Sequence, residues 1–222
     1  MNKKMPKKQK QDLEARLVQA EMSDREREIH MEKADALARL ESGAAEGVLK
    51  KAEYLENAGL YHEALAAYEE VRLAAGTDNA LRIAKGFGYE DKVKELHLRK
   101  ADEIYSIEPN AREGNKKAGK YLEEQGLPEE AKAYYKAGQF IDEQIRIAHE
   151  LGQAEEERAL HIKKAESMID AGNARQGYKA AGKYLENQGL IQDAAEFYRN
   201  GRWFDDEIRI IKSWKKEENK LK

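Results

Sequence analysis

The sequence predicts an all-α fold, a stack of antiparallel helix hairpins, and three observations carry that expectation. The stretch Lys116–Ile147 returns 63 residues later as Lys179–Ile210, with 17 of 32 positions identical. Unrelated stretches of this composition would share roughly two to four, so the chain contains an internal repeat. A weaker copy lies at Leu49–Ile83, where YLENAGLYHEALAAYEE answers YLEEQGLPEEAKAYYKA. Slightly over half of the chain is Ala, Glu, Lys, Leu or Arg, while strand formers are scarce, with one Thr (Thr77) and four Val. That balance belongs to long helices and predicts no sheet.

Charge and composition narrow the function classes. The charged fraction is 37%, yet 40 basic and 43 acidic side chains nearly cancel to −3. Such a balance suits helix faces laced with ion pairs better than a nucleic-acid surface. The chain has no Cys, which excludes disulfides and thiolate metal sites and leads to the expectation of a cytoplasmic protein. No apolar run approaches the roughly 18 residues needed to cross a bilayer, and the Lys-rich start is followed by QDLEARL in place of an apolar signal core, so no membrane insertion is expected.

Taken in order, residues 1–10 hold five Lys and no acid, a flexible basic tail. Leu13, Leu17 and Ala20 share one face of a capping helix at 11–22. Ser23 and Glu26 then form a capping box that starts a helix running to about Glu41, with Ile29, Ala34, Leu37 and Leu40 on its apolar side and Gly43 as its stop. Three copies follow from there, at 23–89, 90–153 and 154–222, in a single domain spanning 11–222. His30, His97 and His161 recur in IHMEKAD, LHLRKAD and LHIKKAE. Asn110 with Glu113 and Asn173 with Gln176 repeat a capping arrangement. Gly59, Gly126 and Gly189 stand where a helix ends on a left-handed residue, and Pro128 sits at a first helical position. Each copy therefore holds four helices, placed in the second copy at 90–107, 111–125, 128–137 and 140–151. The short loops make successive helices antiparallel.

Within 115–148 and 178–211, the order Gly119, Leu122, Gly126, Ala131, Tyr135, Gly138 and Gly182, Leu185, Gly189, Ala194, Tyr198, Gly201 resembles the tetratricopeptide repeat. In that family small residues let paired helices approach and an aromatic ring fills the gap. The first copy keeps Leu55, Gly59, Ala64 and Tyr68 but has Ala52 and Val71 for the outer glycines. The alternate hairpins depart from the pattern, with Ile145 where a small residue belongs, so a more generic α-solenoid is the alternative. The resemblance implies a right-handed superhelix, here of about thirteen helices, with a concave groove that takes a protein or peptide.

Several motifs invite chemistry that their context does not support. The segments 114–120 and 177–183 both read GxxxxGK, but a phosphate loop needs a preceding strand and a Ser or Thr after the Lys, where this chain has Tyr121 and Tyr184. The three equivalent His are expected about 20 Å apart, too far to share one ion, which leaves them structural. Asp78/Arg82, Asp142/Arg146 and Asp205/Arg209 recur at i, i+4 and are read as architectural, bridging to a neighbouring helix. Tyr54, Tyr121 and Tyr184, with Tyr68, Tyr135 and Tyr198, read as inter-helix packing residues whose hydroxyls reach solvent or a backbone carbonyl.

Candidate contacts are Lys116 and Lys120 in one copy with Lys179 and Lys183 in the next. Each i, i+4 pair shares a helix face away from the packing positions. By the family resemblance that face lines the groove and would hold an acidic partner's carboxylates. No nucleophile–base set, metal cluster or cofactor loop competes, so the expectation is a non-catalytic interaction scaffold or adaptor without cofactor. Two alternatives stand beside it. One is a ribosome- or RNA-associated factor that touches nucleic acid only through the basic tail. The other is a homo-oligomer, a homodimer in its simplest form, joined through the C-terminal helix that carries Trp214.

Overall fold

The computed structural model describes residues 22–71, 74–169 and 171–218. The basic tail, and all of the predicted capping helix except Met22, lie outside the described residues. Twelve α-helices, one short 3-10 turn and no strand make up the described chain. The first copy holds α1 (Asp24–Leu40), α2 (Ala44–Asn57), α3 (Tyr61–Glu70) and α4 (Ala74–Phe87). The second holds α5 (Glu90–Ile107), α6 (Ala111–Glu124), α7 (Pro128–Ala137) and α8 (Ile141–Glu150). The third holds α9 (Ala154–Glu166), the 3-10 turn Ala171–Asn173, α10 (Ala174–Asn187), α11 (Ile191–Asn200) and α12 (Phe204–Glu218). The residues group into two compact units, Met1–Glu130 and Ala131–Lys222. Inside each unit consecutive helices pack pairwise.

Local chemistry explains most boundaries. At the start of α1, the Glu26 amide donates to Ser23 Oγ at 3.3 Å and the Ser23 amide donates to Glu26 Oε2 at 2.9 Å, a complete capping box. Asn110 Oδ1 accepts from the amides of Arg112 and Glu113 and starts α6. Asn173 does not repeat this, because the 3-10 turn delivers it at φ −148° with no side-chain cap. Gly59, Gly126 and Gly189 take φ of +81°, +76° and +75°, as a left-handed helix end requires.

Two expectations at α1 need correction. Gly43 does not end the helix: α1 closes on Glu41 in extended backbone, and Gly43, at φ −108°, is the N-cap of α2. Of the apolar residues assigned to its buried side, Ala34 is buried and Leu37 half-buried, but Ile29 and Leu40 are exposed. Periodicity marks the face, but burial also requires a neighbour to cover it.

A third finding separates two roles of glycine. Gly138 and Gly201 end α7 and α11, but the left-handed residue is the next one, Gln139 at φ +59° and Arg202 at +58°. Gly201 is required for space, since a Cβ there would stand 2.6 Å from Tyr178 Cβ. The chain accepts a non-glycine αL residue, a cost on the order of 1 kcal/mol, to keep that close approach.

The cores are small-residue cores. In the first unit Ala34, Ala52, Leu55, Ala64, Tyr68, Ala84 and Leu96 are buried together. In the second Ala165, Ala181, Leu185, Ala194, Tyr198 and Ile210 do the same. Alanine lets backbones approach, and one tyrosine ring per copy fills what is left.

Candidate functional site

Each copy is braced internally by recurring polar contacts, and these decide which side chains remain available to a partner. The first is a cation on the first helix of a copy meeting an acid on the third: Arg27 with Glu63, Lys94 with Glu130, and Arg158 with Asp193. The Arg158 fork donates from Nε and Nη2 to the two Asp193 oxygens at 2.9 and 2.8 Å. The second joins the repeated histidines to the tyrosines of the following helix. Nδ1 of His30, His97 and His161 shares a hydrogen bond with the hydroxyl of Tyr54, Tyr121 and Tyr184 at 2.7, 2.6 and 2.6 Å. Burial holds His97 and His161 below the usual histidine range and pushes Tyr121 up to about 12.

The third contact is a node. Tyr68 donates to Glu56 at 3.0 Å, and Arg82 from α4 donates to the same carboxylate at 2.7 Å. In the second unit Tyr198 donates to Glu186 at 2.9 Å while Arg209 clasps it with two bonds at 2.7 and 2.8 Å. The hydroxyls of Tyr54, Tyr68, Tyr121, Tyr184 and Tyr198, predicted to reach solvent or a backbone carbonyl, are instead bound to His and Glu side chains. The Asp/Arg pairs bridge to neighbouring helices only in part: Asp78 takes Lys100, Asp142 takes Lys164, and Arg82 and Arg209 go to the node, whereas Arg146 bonds Glu150 on its own helix.

The predicted lysines are placed as follows. Lys116 and Lys120 are exposed on α6, with Glu124 3.9 Å from Lys120. Lys183 is exposed on α10, and its charge helps Arg209 and Tyr198 hold Glu186 below the usual carboxylate range. Lys179 is less free than the sequence implies. Its ammonium lies 3.9 Å from the centre of the Trp203 ring and 3.6 Å from Asp206. The Arg175 guanidinium stands 4.6 Å from the same ring, whose Nε1 donates to the Arg175 carbonyl at 2.8 Å. The two α6 lysines and the two α10 lysines belong to different compact units.

Sequence reasoning missed Arg175 and Trp203. Arg175 precedes Lys179 by four residues, so one helical turn extends the lysine series backwards, and that signal was available. Trp203 was visible only as the start of α12. The segments 114–120 and 177–183 lie inside α6 and α10, where amides are taken by the helix and none can cradle a phosphate. Among the described residues no group of three or more His, Asp or Glu is placed to hold a metal ion. Nor is any described helix long and apolar enough to cross a membrane. Trp214 lines a surface groove of about 420 Å³ with Arg158, Leu190, Ile191 and Asp193.

No protein-family model and no curated protein sequence matches this chain.

Proposed function

We propose that the chain is a non-catalytic, cytoplasmic interaction scaffold, a tetratricopeptide-like right-handed superhelix of about thirteen helices. Its partner is an acidic peptide or protein segment laid along the second helix of a copy. The observation that carries this reading is the cationic shelf of α10: Arg175 and Lys179 lie on the Trp203 ring, and Lys183 is exposed one turn further on. Cations resting on an aromatic surface lose less conformational freedom when they meet a carboxylate, which favours binding over a fully solvated lysine face. Lys116 and Lys120 supply the same chemistry on α6, with Glu124 drawing part of it away. The repeated His30, His97 and His161 are engaged by Tyr54, Tyr121 and Tyr184, in keeping with a scaffold.

The test is titration of a glutamate-rich peptide, followed by the emission of Trp203 in a Trp214→Phe background. Lys120→Glu combined with Lys183→Glu should abolish capture at low salt while the helical circular dichroism stays unchanged. Capture that persists removes the groove lysines as contacts.

A further inference from the structure

Within each unit the last helix of a copy is covered by the first helix of the next: α5 lies on α4, and α9 lies on α8. The same ion pair marks both layers. Lys100 Nζ donates to the two Asp78 oxygens at 2.8 and 2.9 Å, and Lys164 pairs with Asp142. Helix α12 is the third such last helix, and among the described residues no first helix covers it. Phe204 and Ile208 are 56% and 50% exposed, where Leu81, at the place of Ile208 in α4, is 7% exposed. Asp205 occupies the place of Asp78 and Asp142 but has no cation partner among the described residues. The turn that brings a covering helix back has also gone. Gly88 and Gly152 leave α4 and α8 at φ +71° and +68°, whereas Lys215 holds that position inside α12.

Among the described residues helix α1 has the complementary vacancy. It is a first helix with no described last helix before it. Ile29 is 48% exposed, where Leu96, its counterpart in α5, is 1% exposed. Lys33 lies 5.1 Å over the Tyr54 ring, as Lys164 lies over Tyr184, yet it has no carboxylate among the described residues. Even the layer's polar contact has an apolar substitute. Thr77 on α4 donates to Glu103 on α5, and the residues at those two places in α12 and α1 are Phe204 and Ala36.

We propose that copies of this chain associate head to tail, with α1 of one molecule seated on α12 of the next, so that Lys33 meets Asp205 and Ile29 covers Phe204 and Ile208. The contact repeats across two molecules the step that the chain makes twice within itself. Its two surfaces differ, so the association is heterologous and gives a series of oligomers in place of a closed dimer. A patch of large apolar side chains beside one uncompensated carboxylate suits this occupant, because α1 offers the apolar residue and the single cation at the spacing already used by α5 and α9.

The full chain, half of it labelled with nitrogen-15, should show mass rising with concentration in sedimentation. Zero-length carbodiimide coupling should join the Lys33 peptide of one isotopic copy to the Asp205 peptide of the other. Lys33→Asp alone and Asp205→Lys alone should each raise the dissociation constant by about tenfold or more, and mixing the two variants should restore assembly. Both sites are exposed, and unchanged circular dichroism would verify the fold of each variant. A wild-type chain that stays monomeric at every concentration overturns the proposal. So does a Lys33→Asp variant that assembles normally, which would indicate α12 pairing with α12.

Discussion

The node of Tyr68, Glu56 and Arg82 and the node of Tyr198, Glu186 and Arg209 occupy the same place in two copies, but they are held differently. The apolar frame is the same, with Leu55 and Ala64 in one and Leu185 and Ala194 in the other. In the first unit Nη2 of Arg82 serves both Glu56 and, at 3.4 Å, Asn79. In the second Asp206 stands where Asn79 does, and Arg209 grips Glu186 with two nitrogens while lying 3.5 Å from Asp206. The hydrogen bonds that it donates to Glu186 hold the Arg209 guanidinium above its usual range. The frame also differs by one methyl group: Ala52 is fully buried at the position of Gly182. At these positions the frame differs by that methyl, and charge is adjusted around it.

Exchanging that methyl is the strongest way to break the comparison. A Cβ at Gly182 would stand 2.9 Å from two atoms of the buried Tyr198 ring. Gly182→Ala should therefore lower stability by about 1–3 kcal/mol despite alanine's better helix propensity. The reverse change, Ala52→Gly, should cost only about 1 kcal/mol, chiefly in helix propensity. Chemical denaturation of both variants measures the difference, and equal losses would mean that the two frames are not set by the ring.

Removing the tyrosine hydroxyls probes the polar half of the node. Tyr68→Phe leaves Glu56 with one arginine nitrogen, whereas Tyr198→Phe leaves Glu186 with two. Both should lose about 0.5–1.5 kcal/mol, with the larger loss at Tyr68. Thermal melts of the two variants at neutral pH order them, and a larger loss at Tyr198 would contradict the role given to the two-pronged arginine.

The smallest effect is in the pH dependence. Burial lowers the folded-state pKa of His97, with Lys85 adding to the effect, and lowers that of His161 against the pull of Glu157. A depressed histidine favours the neutral form in the folded chain, so its contribution is complete above the unfolded value near 6.5 and is lost as pH falls below it. Glu186, also depressed, has its contribution intact above its unfolded value near 4.5 and loses it only below that, in a separate window. Melting temperature should therefore decline between pH 7 and pH 5. His97→Gln should flatten that decline more than His161→Gln, because Glu157 already offsets part of the shift at His161. Melts across that range for the three proteins check the order.

Much of this architecture could be read locally. The helices predicted in the second copy agree with α5 through α8 to within one residue at either end, because Ser, Asn, Gly and Pro act on the backbone beside them. Arg27 with Glu63, Lys94 with Glu130 and Arg158 with Asp193 could not be read that way, since the partners lie 35 or 36 residues apart with no local signature. Only their joint recurrence in aligned copies hints at them. The exposed lysines of α6 and α10 were legible from helical spacing, but the seating of Lys179 on Trp203 was not, because the ring arrives from another helix.

By itself, then, the sequence determined that the chain is helical, that it repeats, and which side of each helix is apolar, because propensity, caps and periodicity act over a few residues. Tertiary structure alone decided which polar ends meet and which apolar sides stay uncovered. Burial and pairing are properties of a neighbour, so Leu96 and Ile29, equivalent by sequence, end up under a helix and at the surface.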